Sequence, residues 1–298
     1  MASPDFSTAR LIQVQPDALD VHEQIFARGD FVHEIPDLST LLTYRIGPDG
    51  YNRQCFCLVE DRDRGVEVLA TIHTEFSTAN TETSSPFFLR GNIRDVLTTP
   101  AKPLDGSANL ITCYSISSFR KKAGAELIKR LYSHFNQSAN PPVISTLSPI
   151  RTLGAFVQEA GYGHIKDPDV IRLCAAAHLL QKKNEVQNFH QGNGAYIGAI
   201  HVFANAAGGK DNVNGYDVMV GYRYPRSAES LSANQADFSN PNEKIIPVSG
   251  GLITLMEQAG MRFADHIAVP VDLSRRDKNS SARVGNLPPA KVPGTPFN

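Results

Sequence analysis

Apolar positions along this chain follow two rhythms, and the change from one to the other marks most of its elements. Gln54–Glu60 and Gly65–Thr74 are β-rich runs joined by Asp61-Arg62-Asp63-Arg64, which predicts an antiparallel hairpin. Leu110–Ser117 predicts a buried strand. After it, Leu127, Ile128, Leu131, Tyr132 and Phe135 keep the three-and-four spacing of a core-facing helix. Pro141-Pro142 stops that pattern, and Val143–Leu147 predicts another strand. A short helix over Leu153–Ala160 follows, closed by Gly161-Tyr162-Gly163. Val170–Leu180 is strongly helical and leads into a polar segment, Gln181–Gly194, where His190 sits in glycine-rich sequence. Ala195–Phe203 and Tyr216–Tyr224 predict strands around a Gly/Asn-rich loop, Asn205–Asn214. Upstream, short helices are expected at Val21–Ala27 and Leu38–Tyr44, the second ending before the turn residues Gly47-Pro48-Asp49-Gly50. Beyond Ser227 the pattern weakens, apart from a helix at Gly251–Gln258.

These elements divide the chain into an irregular arm at 1–20, an α/β domain at 21–262 and a polar, proline-rich tail at 263–298. Ser77–Ser85 reads as a polar loop. With 298 residues, 41% hydrophobic and 20% charged, the chain can bury an ordinary globular core. A net charge of -1 gives no reason to expect nucleic acid. No run reaches the roughly 18 apolar residues of a membrane span, and the N-terminus lacks a secretory layout, so the expected address is the cytosol. Cys55 and Cys57 share one face of a strand, and with Cys113 and Cys174 they read as buried, reduced core thiols rather than a metal site.

The candidate chemistry begins where the first buried strand ends. Ile116-Ser117-Ser118 leads through Phe119 into Arg120-Lys121-Lys122-Ala123-Gly124-Ala125 and then a helix. A helix start presents unpaired backbone N–H groups and partial positive charge, small residues let an anion come close, and three cations add attraction. This segment resembles the coenzyme A pyrophosphate loop of the GNAT acetyltransferases: Arg120 and Ala125 match, and Ala123 replaces the first glycine. The resemblance implies a mixed, mostly antiparallel sheet flanked by helices, an α/β (α+β) acetyltransferase-like fold, with residues 116–118 and 120–125 on the cofactor portion of the substrate.

Three later segments narrow the resemblance. They are Ser145-Thr146-Leu147-Ser148-Pro149-Ile150, Asn188-Phe189-His190-Gln191-Gly192-Asn193-Gly194-Ala195 and Met219-Val220-Gly221-Tyr222-Arg223-Tyr224. With Tyr44-Arg45-Ile46-Gly47-Pro48 and Tyr114-Ser115-Ile116-Ser117, they resemble the catalytic domain of malonyl-CoA decarboxylases, in the same order. The decarboxylating acetyltransferase-like domains of polyketide loading modules are a related comparison. The resemblance implies Thr146, His190 and Tyr224 as catalytic residues and Ser148, Asn188 and Asn193 as substrate-binding ones. Arg151-Thr152-Leu153 and Gln191 depart from the family pattern.

The implied reaction is decarboxylation of a malonyl- or methylmalonyl-type acyl-CoA. The alternatives are transfer of an acyl group from coenzyme A to a carrier-protein thiol, N-acetyl transfer, and acyl-CoA binding without turnover. Coenzyme A enters as part of the substrate, with no separate cofactor and no metal. An acyl carrier protein and a second copy of the chain are the partners compatible with this reading.

Overall fold

The computed structural model describes residues 4–29, 33, 35–78, 93–104, 106, 108–150, 152–159, 167–181, 184–202, 204, 217–240, 246 and 248–258. Gly161-Tyr162-Gly163, the loop 205–214, Arg151, the expected tail 263–298 and most of the polar stretch 77–85 lie outside the described residues. The chain forms two compact units, Met1–Leu147 and Ser148–Asn298.

The first unit is built on a five-stranded sheet. Its strands, in spatial as well as sequence order, are β1 (Ala9–Val14), β2 (Arg53–Arg62), β3 (Gly65–Ser77), β4 (Leu110–Ser118) and β5 (Val143–Thr146). The first four pair antiparallel, and β4 and β5 pair parallel. The hairpin β2–β3 follows from its sequence: Gly65 takes the left-handed conformation (φ 121°) where a two-residue connection reverses the chain. β1 corrects the irregular arm expected over 1–20. Its residues pair with β2 from Ala9–Glu60 to Val14–Cys55.

Helices cover this sheet. Val21 and Ile25 of α1 (Leu19–Arg28) and Leu41 of α2 (Leu38–Tyr44) pack with Val14, Cys55, Cys57, Val59 and Val68. Asp37 caps α2 by accepting from the Thr40 N–H. A short helix, α3 (Ile93–Thr98), precedes β4. Across the sheet, Phe135 of α4 (Ala123–Phe135) meets Phe56 edge-on at 5.7 Å and Phe76 at 5.6 Å. Leu127, Ile128, Leu131 and Tyr132 of α4 are buried as their spacing predicts, and each such side chain contributes about 1.5–3 kcal/mol. All four cysteines are free and buried.

The second unit holds β6 (Ser148–Pro149), α5 (Leu153–Glu159), α6 (Pro168–Leu179), α7 (Glu185–Gly192), β7 (Tyr196–His201), β8 (Met219–Tyr224), α8 (Ala228–Ser239) and α9 (Gly250–Gln258). β8 pairs antiparallel with both β6 and β7. Asp167 caps α6 and Pro168 occupies its first turn, a start signal readable in the sequence. No helix among the described residues is long and apolar enough to cross a membrane.

Candidate functional site

The histidine expected in a glycine-rich loop stands near the end of a helix instead. Asn184 starts α7 by accepting from the Val186 and Gln187 N–H groups at 2.9 and 3.1 Å. Gly194 lets the chain turn into β7, since its φ is 88° and a Cβ there would lie 2.4 Å from the Leu231 carbonyl oxygen. Two amides of α8 reach back to this turn: Asn234 Nδ2 donates to the Gly194 carbonyl at 3.1 Å, and Gln235 Nε2 to that of Gly192 at 2.9 Å. His190 is therefore held on a capped, braced helix end.

Both ring nitrogens of His190 have partners. Nδ1 lies 2.9 Å from the Tyr224 hydroxyl and Nε2 lies 3.3 Å from the Ser148 hydroxyl. Tyr222 stacks on the imidazole, with centroids 4.8 Å apart and planes 24° from parallel, and Phe189 meets it edge-on at 5.0 Å. The ring is 3% exposed, and burial pushes its pKa down to about 3. A helix C-terminus favours the protonated form, but here desolvation wins and the imidazole is neutral at ordinary pH. Burial also pushes the Tyr222 phenol well up, so the stacked ring is neutral too.

A neutral imidazole carries one N–H, so two arrangements are available. If Tyr224 donates to Nδ1, then Nε2–H is a donor aimed toward Ser148. If Nδ1–H donates to the Tyr224 oxygen, Nε2 accepts from the Ser148 hydroxyl. The first makes an oxyanion donor and the second a base beside a hydroxyl.

Of the residues named from sequence, His190, Tyr224 and Ser148 are brought together. Asn188 is exposed on α7, two positions before the buried histidine. Asn193 acts as a helix end, its Nδ2 donating to the Phe189 carbonyl at 2.7 Å. Thr146 is buried at the end of β5 in the first unit. Tyr222 went unassigned in the sequence, although the two-residue spacing from Tyr224 already places both phenols on one face of a strand. The departure Gln191 is also buried, and its Oε1 accepts from Gln187 Nε2 at 2.7 Å. A polar residue thus replaces an apolar one without leaving its amide unpaired on that side.

The phosphate-type turn lies in the first unit, where β4 ends and α4 starts. Lys122 takes a left-handed conformation (φ 64°) before the first helical residue. Some of the expected donors are already used. The Gly124 N–H donates to Ser118 Oγ at 3.0 Å, and the Ala123 N–H to the Arg120 carbonyl at 3.0 Å. Ser118 Oγ donates in turn to the Arg120 carbonyl at 2.8 Å. The Arg120 guanidinium points elsewhere, to Glu60 at 2.9 Å and Glu67 at 3.3 Å. The Arg62 hydrogen bond, together with the charges of Arg62, Arg120 and Arg28, holds the Glu67 carboxyl below its usual range. Ile116 and Ser117 lie at the end of β4 and Ala123, Gly124 and Ala125 open α4, while Lys121 is exposed with no hydrogen bond or ion pair among the described residues.

No protein-family model matches this chain, and no curated protein matches it. Solved structures do. A malonyl-CoA decarboxylase from Rhodopseudomonas palustris superposes with a TM-score of 0.62 at 17% identity, covering 84% of this chain and 67% of that one. Those from Agrobacterium vitis and Cupriavidus metallidurans give TM-scores of 0.61 and 0.56, each at 19% identity, over 83% and 84% of this chain and 67% and 68% of theirs. The chain shares the fold of these enzymes, whose family its ordered motifs resemble, and spans about two thirds of their length.

Proposed function

We propose that this protein decarboxylates a malonyl-type acyl-CoA, with His190 as the central catalytic group. Loss of carbon dioxide leaves the electron pair of the broken C–C bond on the α-carbon, delocalised onto the thioester oxygen. A preorganised N–H aimed at that oxygen is worth about 2.7–4 kcal/mol in comparable sites. The observation that carries the reading is the fully partnered, neutral imidazole of His190, with Tyr224 at Nδ1 and Ser148 at Nε2. With Tyr224 as donor, Nε2–H points to Ser148 as a hydrogen-bond donor rather than a charged acid. Ser148 holds that position until the thioester oxygen replaces it. Proton delivery to the α-carbon, from solvent or from Nε2–H as Tyr224 passes its own proton to Nδ1 and regains one from solvent, then completes the acyl-CoA product.

The ordered motifs and the shared fold with malonyl-CoA decarboxylases support the choice of substrate class. In the first unit, the turn into α4 is proposed to hold the diphosphate of coenzyme A, through Lys121, Lys122 and backbone amides not already used. Arg120 supports that turn through its carboxylate partners. Thr146 is proposed, by resemblance alone, as a hydroxyl for the leaving carboxylate.

The Ser148–His190 hydrogen bond also favours a second reading, acyl transfer, in which Nε2 takes a proton from a hydroxyl or a carrier thiol. Burial pushes this ring's pKa down to about 3, which makes it a weak base and favours decarboxylation over acyl transfer. Incubating the protein with malonyl-, methylmalonyl- and acetyl-CoA, with and without a holo carrier protein, separates the two by mass spectrometry. Carbon dioxide with acetyl- or propionyl-CoA is the expected outcome. An acylated carrier from acetyl-CoA selects the second reading, and conversion undiminished in His190→Ala removes both.

A further inference from the structure

Helix α4 carries a second stripe that its role at the coenzyme turn does not use. Arg130, Ser133 and His134, with Gln137 just past the helix end, recur at three- and four-residue spacing, beside the buried stripe of Leu127, Ile128 and Leu131. This polar stripe overhangs β1, the edge strand of the first unit's sheet. Where an apolar seal between helix and sheet is the ordinary arrangement, the two elements leave a cleft of about 340 Å³. The volume falls at the small end of ligand pockets, roughly 300–1,000 Å³.

The lining is one-sided in its chemistry. Leu11 and Phe56 make an apolar floor, and Arg10, Gln13, Gln137 and the α4 residues Arg130, Ser133 and His134 make the walls, with no aspartate or glutamate among them. The two guanidinium groups are fixed from outside the cleft. Arg10 donates through Nε and Nη2 to Asp61, at 3.2 and 2.9 Å. Arg130 donates through Nε to Glu126 at 2.8 Å and through Nη2 to the Phe6 carbonyl at 2.9 Å. In both, Nη1 makes no hydrogen bond among the described residues.

We propose that this cleft is a second binding site, for a small organic carboxylate with an apolar or aromatic body. The carboxylate takes the Nη1 donors of Arg10 and Arg130. The body lies on Phe56 and Leu11. Because its lining shares no residue with the turn into α4 or with the surroundings of His190, the site is separate from the one proposed for turnover.

The test uses the full chain and three probes, benzoate, phenylacetate and inorganic phosphate, titrated calorimetrically at constant ionic strength. Saturable binding of benzoate or phenylacetate with a Kd below about 1 mM is expected. It should weaken at least tenfold in Arg130→Met and be abolished in Ser133→Trp, where an exposed serine is replaced by a ring that fills the cleft. The same binding should persist in His190→Ala. No binding of either carboxylate below about 5 mM overturns the proposal. So does binding that Ser133→Trp leaves intact in a variant that melts like the parent, or phosphate binding as tight as benzoate.

Discussion

The turn into α4 and the surroundings of His190 were both noticed in the sequence for their residue types, yet they are built in opposite ways. At the turn, side chains and backbone groups largely satisfy one another: Ser118 occupies the Gly124 N–H and Glu60 and Glu67 occupy Arg120. At His190, the protein spends three side chains, Tyr224, Ser148 and Tyr222, on one ring. The turn is therefore a scaffold with a few donors to spare, whereas the histidine is a single group with its orientation and charge state set by its neighbours. Losing one cation at the turn weakens an interaction shared among several donors; losing the imidazole removes what its neighbours were arranged to hold.

His190→Ala should lower kcat by about 10²-fold or more while coenzyme A affinity, read by calorimetry, stays within about twofold. Tyr224→Phe should cost roughly tenfold in kcat, because the imidazole loses the partner that sets its tautomer, with KM little changed. Lys121→Ala should raise KM for an acyl-CoA about threefold at low salt, and the effect should fade at high ionic strength. Arg120→Met should leave KM within about twofold and lower stability by about 1 kcal/mol, since its partly exposed pairs serve the scaffold. If Arg120→Met proves the more damaging to binding, the turn is not the scaffold described.

Because the folded His190 has its pKa pushed down to about 3, kcat should show no acid limb near pH 6.5. Stability behaves differently. Between about pH 6.5 and 3 the unfolded imidazole binds a proton that the folded one does not, so the contribution of this group to stability falls as pH falls through that window. Denaturant titrations at pH 7, 5.5 and 4.5 read this directly, against His190→Gln as the reference.

How much was legible follows from where apolar residues carry the pattern. α2 lies where its sequence placed it, and β2–β3, β4 and α4 differ only at their ends, because alternation or three-and-four spacing marks each of them. α7, α8 and β1 gave no such signal. The residues that α7 buries are Gln187, His190 and Gln191, so its inward face is polar and reads as a loop. α8 buries Asn234 and little else, and β1 is six residues with a half-exposed middle. The candidate residues His190, Tyr224 and Ser148 came from ordered motifs. What motifs alone could not give is which hydroxyl meets the ring, since Thr146 and Ser148 are two positions apart on similar sequence.

The brace that α8 supplies to the end of α7 has a thermal consequence. A helix that buries one amide and little hydrocarbon has little of its own to resist heating, so it should fray well before the sheets of the chain give way. Once Asn234 and Gln235 let go, the turn bearing Gly192 and Gly194 loosens and the imidazole drifts. Turnover should then decline on warming at temperatures where circular dichroism still reports an intact protein.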